Sequence, residues 1–188
     1  MATTEHTIND AIAAALRSTK RAWSVPGVVQ SENTGKLTGN AKRPDILVLE
    51  PGVSPVVIET EVLPALTVES EAVERLGSTM RDTGQPILSA IAVRSPAALR
   101  GHDGAALAET IRGTMDFEYA MFTGEAKGTA VRWPMQGWLT GSIADLALLA
   151  QAAAVPPIVI DRAADRLTTG VQQAAGQLIG LETKIPVR

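Results

Sequence analysis

The segment between Arg43 and Val62 constrains the fold more than any other part of the chain. It reads RPDILVLEPGVSPVVIETEV, two short apolar runs separated by a segment rich in turn-forming Pro and Gly. Runs of this length joined by such a turn are typical of an antiparallel β-hairpin. Acidic residues accompany both runs, however, and a carboxylate is costly to bury without a partner. The pattern therefore predicts either a solvated rim or a place where something positively charged binds.

The spacing within the hairpin predicts where the acidic groups lie. Because side chains alternate between the two faces of a strand, Glu59 and Glu61 are expected to share one face. The opposite face would pack on the core with Val56, Ile58, Thr60 and Val62. A hairpin that closes symmetrically about its turn brings Asp45 close to Thr60 and Glu61. Three acidic groups are thus expected at one end of a β-ribbon.

Apolar periodicity predicts the elements that surround the hairpin. A first helix is expected up to about Lys20 with Thr7 as its cap, and a second helix is expected from Val68 with Thr67 as its cap. The other predicted elements are strands over 23–30, 86–94, 117–122 and 128–133, and a helix over 105–112. Helices and strands in this order favour an α/β sandwich with a central mixed sheet. From Gly141 onward the chain is rich in alanine and predicts C-terminal helices interrupted at Pro156-Pro157.

Composition excludes several classes of function. The 188 residues include no cysteine, which excludes disulfides, thiolate catalysis and cysteine-ligated zinc. A net charge of -3 gives no global basic signature, so a nucleic-acid partner would need a local basic patch. The N-terminal residues lack the pattern of a secretory signal, and no uninterrupted apolar stretch approaches the roughly 20 residues that cross a bilayer. We therefore expect a cytoplasmic protein with no membrane partner.

The hairpin resembles the core of the PD-(D/E)XK nuclease superfamily. In that superfamily the Asp of a Pro-Asp pair opens the second core strand, an acid-x-Lys triplet lies on the third, and a helix and a further strand follow. The matching residues here are Pro44-Asp45 and Glu59-Thr60-Glu61. The resemblance implies a restriction-endonuclease-like α/β sandwich, with a nuclease core over 1–138. A C-terminal helical extension over 139–188 would pack on that core or on a partner.

The resemblance also implies a chemistry, a Mg²⁺-dependent DNA endonuclease in which Mn²⁺ can substitute. Asp45 and Glu59 would ligate the ion together with the backbone carbonyl of Thr60, and Glu61 would orient or deprotonate the attacking water or hold a second ion. Carboxylate and carbonyl oxygens are the ligands that Mg²⁺ prefers, and a bound cation would relieve the mutual repulsion of the acids. The expected setting is a restriction-modification or anti-phage defence system. The expected partners are DNA and either a homodimer mate or a fused or associated specificity or methyltransferase module.

One departure keeps a second hypothesis open. Glu61 stands where the superfamily has its triplet lysine. Some active restriction endonucleases also carry Glu there, whereas inactive relatives lose motif residues. The alternative is therefore a catalytically inactive nuclease-fold domain that binds DNA or scaffolds a complex. A third possibility is an assembly protein whose acidic hairpin is simply a solvated surface, since acids on an edge strand discourage aggregation.

Residues outside the motif supply weaker candidates. Glu32 is a further candidate metal ligand, and the basic residues Lys36, Lys42 and Arg43 are candidates for contacts with the DNA backbone. Solvation explains Glu32 equally well, and basic loop residues such as the other three are usually only solvated. Trp133 and Trp138 could stack on a base, although a chain so poor in aromatic residues is expected to bury them.

Overall fold

The computed structural model describes residues 3–31, 37–38 and 43–182, with the backbone alone described for 176–182. The chain divides into two compact units, Met1–Pro156 and Pro157–Arg188. The first unit contains a mixed sheet with helices, and the second contains one long helix. The predicted candidates Glu32, Lys36 and Lys42 lie outside the described residues.

The elements follow one another in an alternating α/β order. The helices are α1 (Glu5–Thr19), α2 (Val68–Arg75), α3 (Gly104–Gly113), α4 (Ile143–Ala153) and α5 (Pro157–Glu182). The strands are β1 (Val29–Ser31), β2 (Leu37–Thr38), β3 (Ile46–Val48), β4 (Val56–Val62), β5 (Thr79–Met80), β6 (Ser89–Ser95), β7 (Phe117–Thr123), β8 (Val131–Trp133) and β9 (Leu139–Gly141). Short 3₁₀ segments cover Arg21–Ser24, Ala97–Gly101 and Lys127–Thr129.

A seven-stranded mixed sheet forms the centre of the first unit. Its order is β1-β3-β4-β6-β7-β8, and β9 also pairs with β7. The β4–β6 pair is parallel, and the other pairs in the sheet are antiparallel. The small strands β2 and β5 pair with each other in a separate antiparallel ribbon. The predicted mixed α/β architecture is confirmed at this level.

The hairpin predicted from the sequence is the β3–β4 pair. Ile46, Leu47 and Val48 pair with Ile58, Val57 and Val56. The connecting turn contains Gly52 at φ +87°, a left-handed conformation that glycine adopts at little steric cost. Every residue of β3, and all of β4 except Glu61, is buried. Burial on both faces is expected for strands covered by helices on each side.

Two apolar clusters cover the two faces of the sheet. One lies between the sheet and α1, α3 and α4, and it includes Ile58 of β4. The other lies between the sheet and α2, and it includes Val57 of β4. Neighbouring residues of β4 thus serve opposite clusters, as strand alternation requires. The face of β4 that carries Glu59 and Glu61 is the face covered by α2.

Several local predictions were wrong in detail. The first helix is capped by Thr4, whose side chain accepts a hydrogen bond from the backbone N–H of Thr7, so Thr7 is not the cap. Trp23 lies in a 3₁₀ segment and is buried rather than on a strand. Helix α2 ends at Arg75. Met80 belongs to β5, although its spacing from Val68, Ala72 and Leu76 predicts a place on the buried face of that helix.

The C-terminal helices belong to different units. Helix α4 buries six residues and lies in the first unit, whereas α5 forms the second unit and exposes apolar side chains such as Leu167, which is 72% exposed. By length and composition, the segment Ile143–Ala175 is apolar enough to span a membrane, and 44% of its most apolar stretch is buried within the protein. Core helices of globular proteins meet the same criterion, so this segment is weak evidence for a membrane.

Replacement of a core residue in β6 tests the arrangement of the sheet. Ile91 is fully buried and lies between Ile58 and Met121 on the adjacent strands. We expect Ile91→Ala to lower the free energy of unfolding by roughly 2–5 kcal/mol, because it removes packed methylene groups and leaves a cavity. Val131→Ala on the edge strand, where Val131 is 64% exposed, should change it by less than about 0.5 kcal/mol. Urea unfolding measures both, and equal losses in the two variants would contradict this topology.

Candidate metal and nucleic-acid site

Asp45 and Glu59 come together at the mouth of the β3–β4 hairpin. Asp45 immediately precedes β3, and continuing the register one step beyond the Ile46–Ile58 pair brings it opposite Glu59. The Asp45 Oδ2 atom accepts a hydrogen bond of 2.7 Å from the backbone N–H of Thr60. This bond fixes the aspartate against β4, as the predicted closeness of Asp45 and Thr60 requires.

Glu59 is buried and ion-paired with an arginine of α2. Only 2% of its surface is exposed, and its Oε1 atom lies 2.5 Å from the Nε atom of Arg75. Arg75 is itself 2% exposed, and its Nη2 atom donates a 3.0 Å hydrogen bond to the backbone carbonyl of Arg43. The arginine therefore connects α2 to β4 and to the segment that leads into β3. Removing one partner of a charge pair this deeply buried strongly destabilises a protein, because the other charge is left buried and unpaired.

The surroundings of Glu59 favour its protonated form. Burial is the largest cause and repulsion from Asp45 the second, and together they raise the pKa of Glu59 to about 8, although the hydrogen bond and charge of Arg75 act in the opposite direction. Glu71 on α2 adds a smaller repulsion that also raises this pKa. Two acids close enough to perturb each other are the arrangement that a cation would relieve.

Glu61 has a different local role. Its Oε2 atom accepts hydrogen bonds from the backbone N–H groups of Thr67 and Val68, at 2.9 and 3.0 Å, and from the Thr67 hydroxyl. Burial of Glu61 alone would raise its pKa, but the hydrogen bonds from the start of α2 outweigh burial and lower the pKa. Thr67 occupies the N-cap position as predicted, yet it makes no side-chain capping bond of its own. Glu61 instead satisfies the free N–H groups of the helix.

The other face of β4 holds a polar contact in the core. The Thr60 hydroxyl donates a short hydrogen bond to the side-chain carbonyl of Asn9 in α1, and both residues are buried. Thr60 thus links Asp45, to which its backbone N–H donates, with Asn9 of α1, to which its hydroxyl donates. This contact helps to fix the position of β4 relative to α1.

The structure brings some of the predicted site residues together and separates others. Asp45, Glu59 and the backbone of Thr60 are adjacent, whereas the carboxylate of Glu61 is bound to the start of α2. Within the described residues, no three His, Asp or Glu side chains converge as a metal-binding group. Arg43 is exposed, and its backbone carbonyl rather than its side chain contacts Arg75.

Arg75 is the site residue that sequence reasoning missed. A signal for it exists, because residues 68, 72, 75 and 76 follow the i, i+4, i+7, i+8 spacing of one helix face. An arginine at a position that faces the sheet, after a strand that carries two acids, indicates a buried ion pair. Asn9 was also missed. It lies next to Ile8, one of the apolar residues spaced four apart on the buried face of α1, and it is a polar residue in a buried position.

Comparisons with protein-family models, curated proteins and solved structures found no match to this chain.

The raised pKa of Glu59 predicts a specific dependence of stability on pH. The folded state retains a proton up to about pH 8 that the unfolded chain releases near 4.5, so the Glu59 contribution to stability is lost as pH rises through this window. Between pH 5 and 8, we expect the wild type to lose stability relative to Glu59→Gln, by no more than about 1.4 kcal/mol per pH unit. Urea unfolding across this range measures the difference.

The matched control for this experiment is Glu109→Gln, which neutralises an exposed glutamate on α3. Its stability curve should run parallel to that of the wild type. Parallel stability curves for wild type and Glu59→Gln between pH 5 and 8 would show that Glu59 is ionised throughout this range, and the pKa assignment would be wrong.

Proposed function

We propose that this chain carries a restriction-endonuclease-like domain that hydrolyses DNA with a divalent cation. The order of the elements supports the proposal. Among the strands of the main sheet, β3 is second and β4 is third along the chain, and α2 and the parallel strand β6 follow. This is the order that the resemblance to the PD-(D/E)XK superfamily implies for the strands that carry Pro44-Asp45 and Glu59.

The observation that carries the proposal is the pairing of Asp45 with Glu59. An aspartate fixed by the backbone of Thr60 lies near enough to a buried glutamate to raise the pKa of that glutamate. A protein gains no stability from two acids placed so close together at the mouth of a buried hairpin. The arrangement is accounted for if a cation binds there, because Mg²⁺ is held by one or two carboxylates and completes its shell with water and substrate oxygens.

The donor atoms present fit such an ion. Asp45, Glu59 and the Thr60 carbonyl are all hard oxygen donors, and a third carboxylate is not required. When bound, the ion would supply a nucleophilic water and neutralise charge on the phosphate. Mn²⁺ takes the same ligands and is expected to substitute for Mg²⁺.

The protein side of the reaction falls to four side chains. Asp45 and Glu59 would hold the ion, and Arg75 holds Glu59 in place through its contact with Oε1. Glu61, whose pKa is lowered, is ionised at neutral pH and is suited to orienting water by accepting its hydrogen bond. The water oxygen forms a bond to phosphorus, the bond from phosphorus to one sugar oxygen breaks, and that oxygen takes up a proton. Arg75 contributes a positive charge near the place of the missing triplet lysine.

Under this proposal the protein acts on DNA in the cytoplasm, as part of a restriction-modification or anti-phage system. The C-terminal helix α5 would hold a homodimer mate or a specificity or methyltransferase module. Its exposed apolar side chains, Ile160, Leu167 and Val171, suit such a contact.

Cleavage of supercoiled plasmid tests the proposal. We expect wild-type protein to nick or linearise plasmid with Mg²⁺ or Mn²⁺ and to lose activity with EDTA. Asp45→Asn and Glu59→Gln should each lower the rate by at least about 100-fold, because each removes a ligand of the ion that neutralises the transition state. Glu109→Gln, an equally conservative change on exposed α3, should cut at the wild-type rate. Wild-type rates in Asp45→Asn and Glu59→Gln would refute the assignment.

A second function is favoured by one specific observation, the 2.5 Å contact between Glu59 and Arg75. A glutamate fully committed to an arginine does not ligate a metal, and the domain would then be a catalytically inactive DNA-binding or scaffolding relative. Titration with Mn²⁺ separates the two functions. Saturable binding that Asp45→Asn abolishes supports the nuclease, whereas no binding in a protein that still binds DNA supports the inactive relative.

A further inference from the structure

Arg94 lies on the same face of the sheet as the candidate site, one strand away. It pairs with Glu61 in the parallel β4–β6 register, and Glu61 is on the face that carries Glu59. With a strand spacing of about 4.8 Å and a rise of about 3.3 Å per residue, the Cα atoms of Arg94 and Glu59 are roughly 8 Å apart. An arginine side chain at this distance reaches the phosphate groups of a DNA strand bound at the site.

An aromatic ring fixes the orientation of the Arg94 guanidinium. The guanidinium carbon lies 3.9 Å from the centre of the Trp138 ring, which is a close cation–π contact. Trp138 itself packs at the border of the apolar cluster under α2. The stack holds the face of the guanidinium and leaves its edge for hydrogen bonding. Since 29% of the side chain is exposed, a ligand can reach that edge.

Arg94 uses few of its hydrogen-bond donors. Its one hydrogen bond among the described residues runs from Nη1 to Glu118, at 3.4 Å, which is long for a charge-assisted bond. Its Nε atom is buried and has no hydrogen-bond partner in the part of the chain that the structure describes. Burying a donor without a partner costs stability, so the arrangement is not explained by stability alone.

The neighbouring arginines of this face are saturated in comparison. Arg75 is buried in its pair with Glu59. Arg132, near the same Trp138 ring, donates to Glu69 and to the backbone carbonyls of Pro134 and Gly137. Arg94 is thus the arginine of this group with donors left for a ligand.

The acidic groups around Arg94 determine when an anion can bind there. Glu61 is held by the start of α2 and Glu69 by Arg132, so Glu118 is the acid that competes directly for Arg94. Glu59 lies two residues away along the sheet, Asp45 adds negative charge beside it, and Glu59 would add more on losing its proton. A cation bound between them would offset that charge and make the approach of an anion favourable.

We propose that Arg94, held flat on Trp138, binds a backbone phosphate of the DNA strand that enters the Asp45–Glu59 site. The guanidinium fork matches two phosphate oxygens, and such a contact positions the strand without reading its sequence. Arg94 is therefore a substrate-positioning residue, and Glu118 is its competitor in the DNA-free protein. This inference rests on the proposed function in taking DNA as the ligand.

Fluorescence anisotropy of the full chain with a labelled duplex tests the inference, with Ca²⁺ in place of Mg²⁺ to prevent hydrolysis. We expect Arg94→Gln to weaken binding roughly tenfold for two unrelated duplex sequences, and to reduce the slope of log affinity against log salt by about 0.9. Arg112→Gln, which removes the same charge from exposed α3, is the matched control and should leave both quantities at their wild-type values.

Two further variants separate phosphate binding from a structural role. Glu118→Gln should strengthen DNA binding, because it removes the competing acid, whereas Glu109→Gln on α3 should not. Arg94→Lys preserves the charge and loses the fork, so it should bind at least about threefold more weakly than wild type. If thermal unfolding shows that Arg94→Gln does not fold, the affinity of Arg94→Lys decides whether Arg94 binds phosphate.

The outcomes distinguish this inference from the endonuclease proposal. Equal affinities for Arg94→Gln and Arg112→Gln in a wild type that cleaves plasmid would overturn the role of Arg94 and leave the nuclease intact. Binding that depends on Arg94 in a protein that never cleaves would support Arg94 and overturn the nuclease. A wild type that binds no duplex would overturn both.

Discussion

The buried ion pair between Glu59 and Arg75 is the interaction on which the site depends. It joins the central strand β4 to α2, and the same arginine reaches the backbone carbonyl of Arg43, which precedes β3. A pair at this depth gains little net stability over apolar residues of the same size, because both charges lose their hydration. The pair instead fixes positions: it aligns the hairpin with α2 and holds the Glu59 side chain beside Asp45.

The two acids of β4 have different surroundings, and their pKa values shift in opposite directions. Glu59 faces an arginine and a second acid in a dry environment, so its pKa is raised. Glu61, two residues further and at the rim, accepts the N–H groups at the start of α2, and its pKa is lowered. One face of a single strand thus presents one glutamate with a raised pKa and one with a lowered pKa. That division suits a ligand and a water-orienting group.

The same helix also shapes the surface beside the site. Glu69 near the start of α2 holds Arg132, which packs close to Trp138, and Trp138 supports Arg94. Positive charge is therefore arranged along the edge of a site whose centre is acidic. For a chain with net charge -3, this local arrangement is how a phosphate backbone could be bound without a basic domain.

The sequence by itself determined the hairpin, the shared face of Glu59 and Glu61, and the α/β order, because strand alternation and turn chemistry are local properties. Only the tertiary structure decided which partner each acid has. Arg75 lies 16 residues from Glu59 and meets it only because α2 folds back over β4. Asn9 and Arg94 reach β4 through other elements in the same way, and Trp138 meets Arg94 from a third. Contacts between distant segments depend on the packing of helices on the sheet, which residue spacing along the chain does not encode.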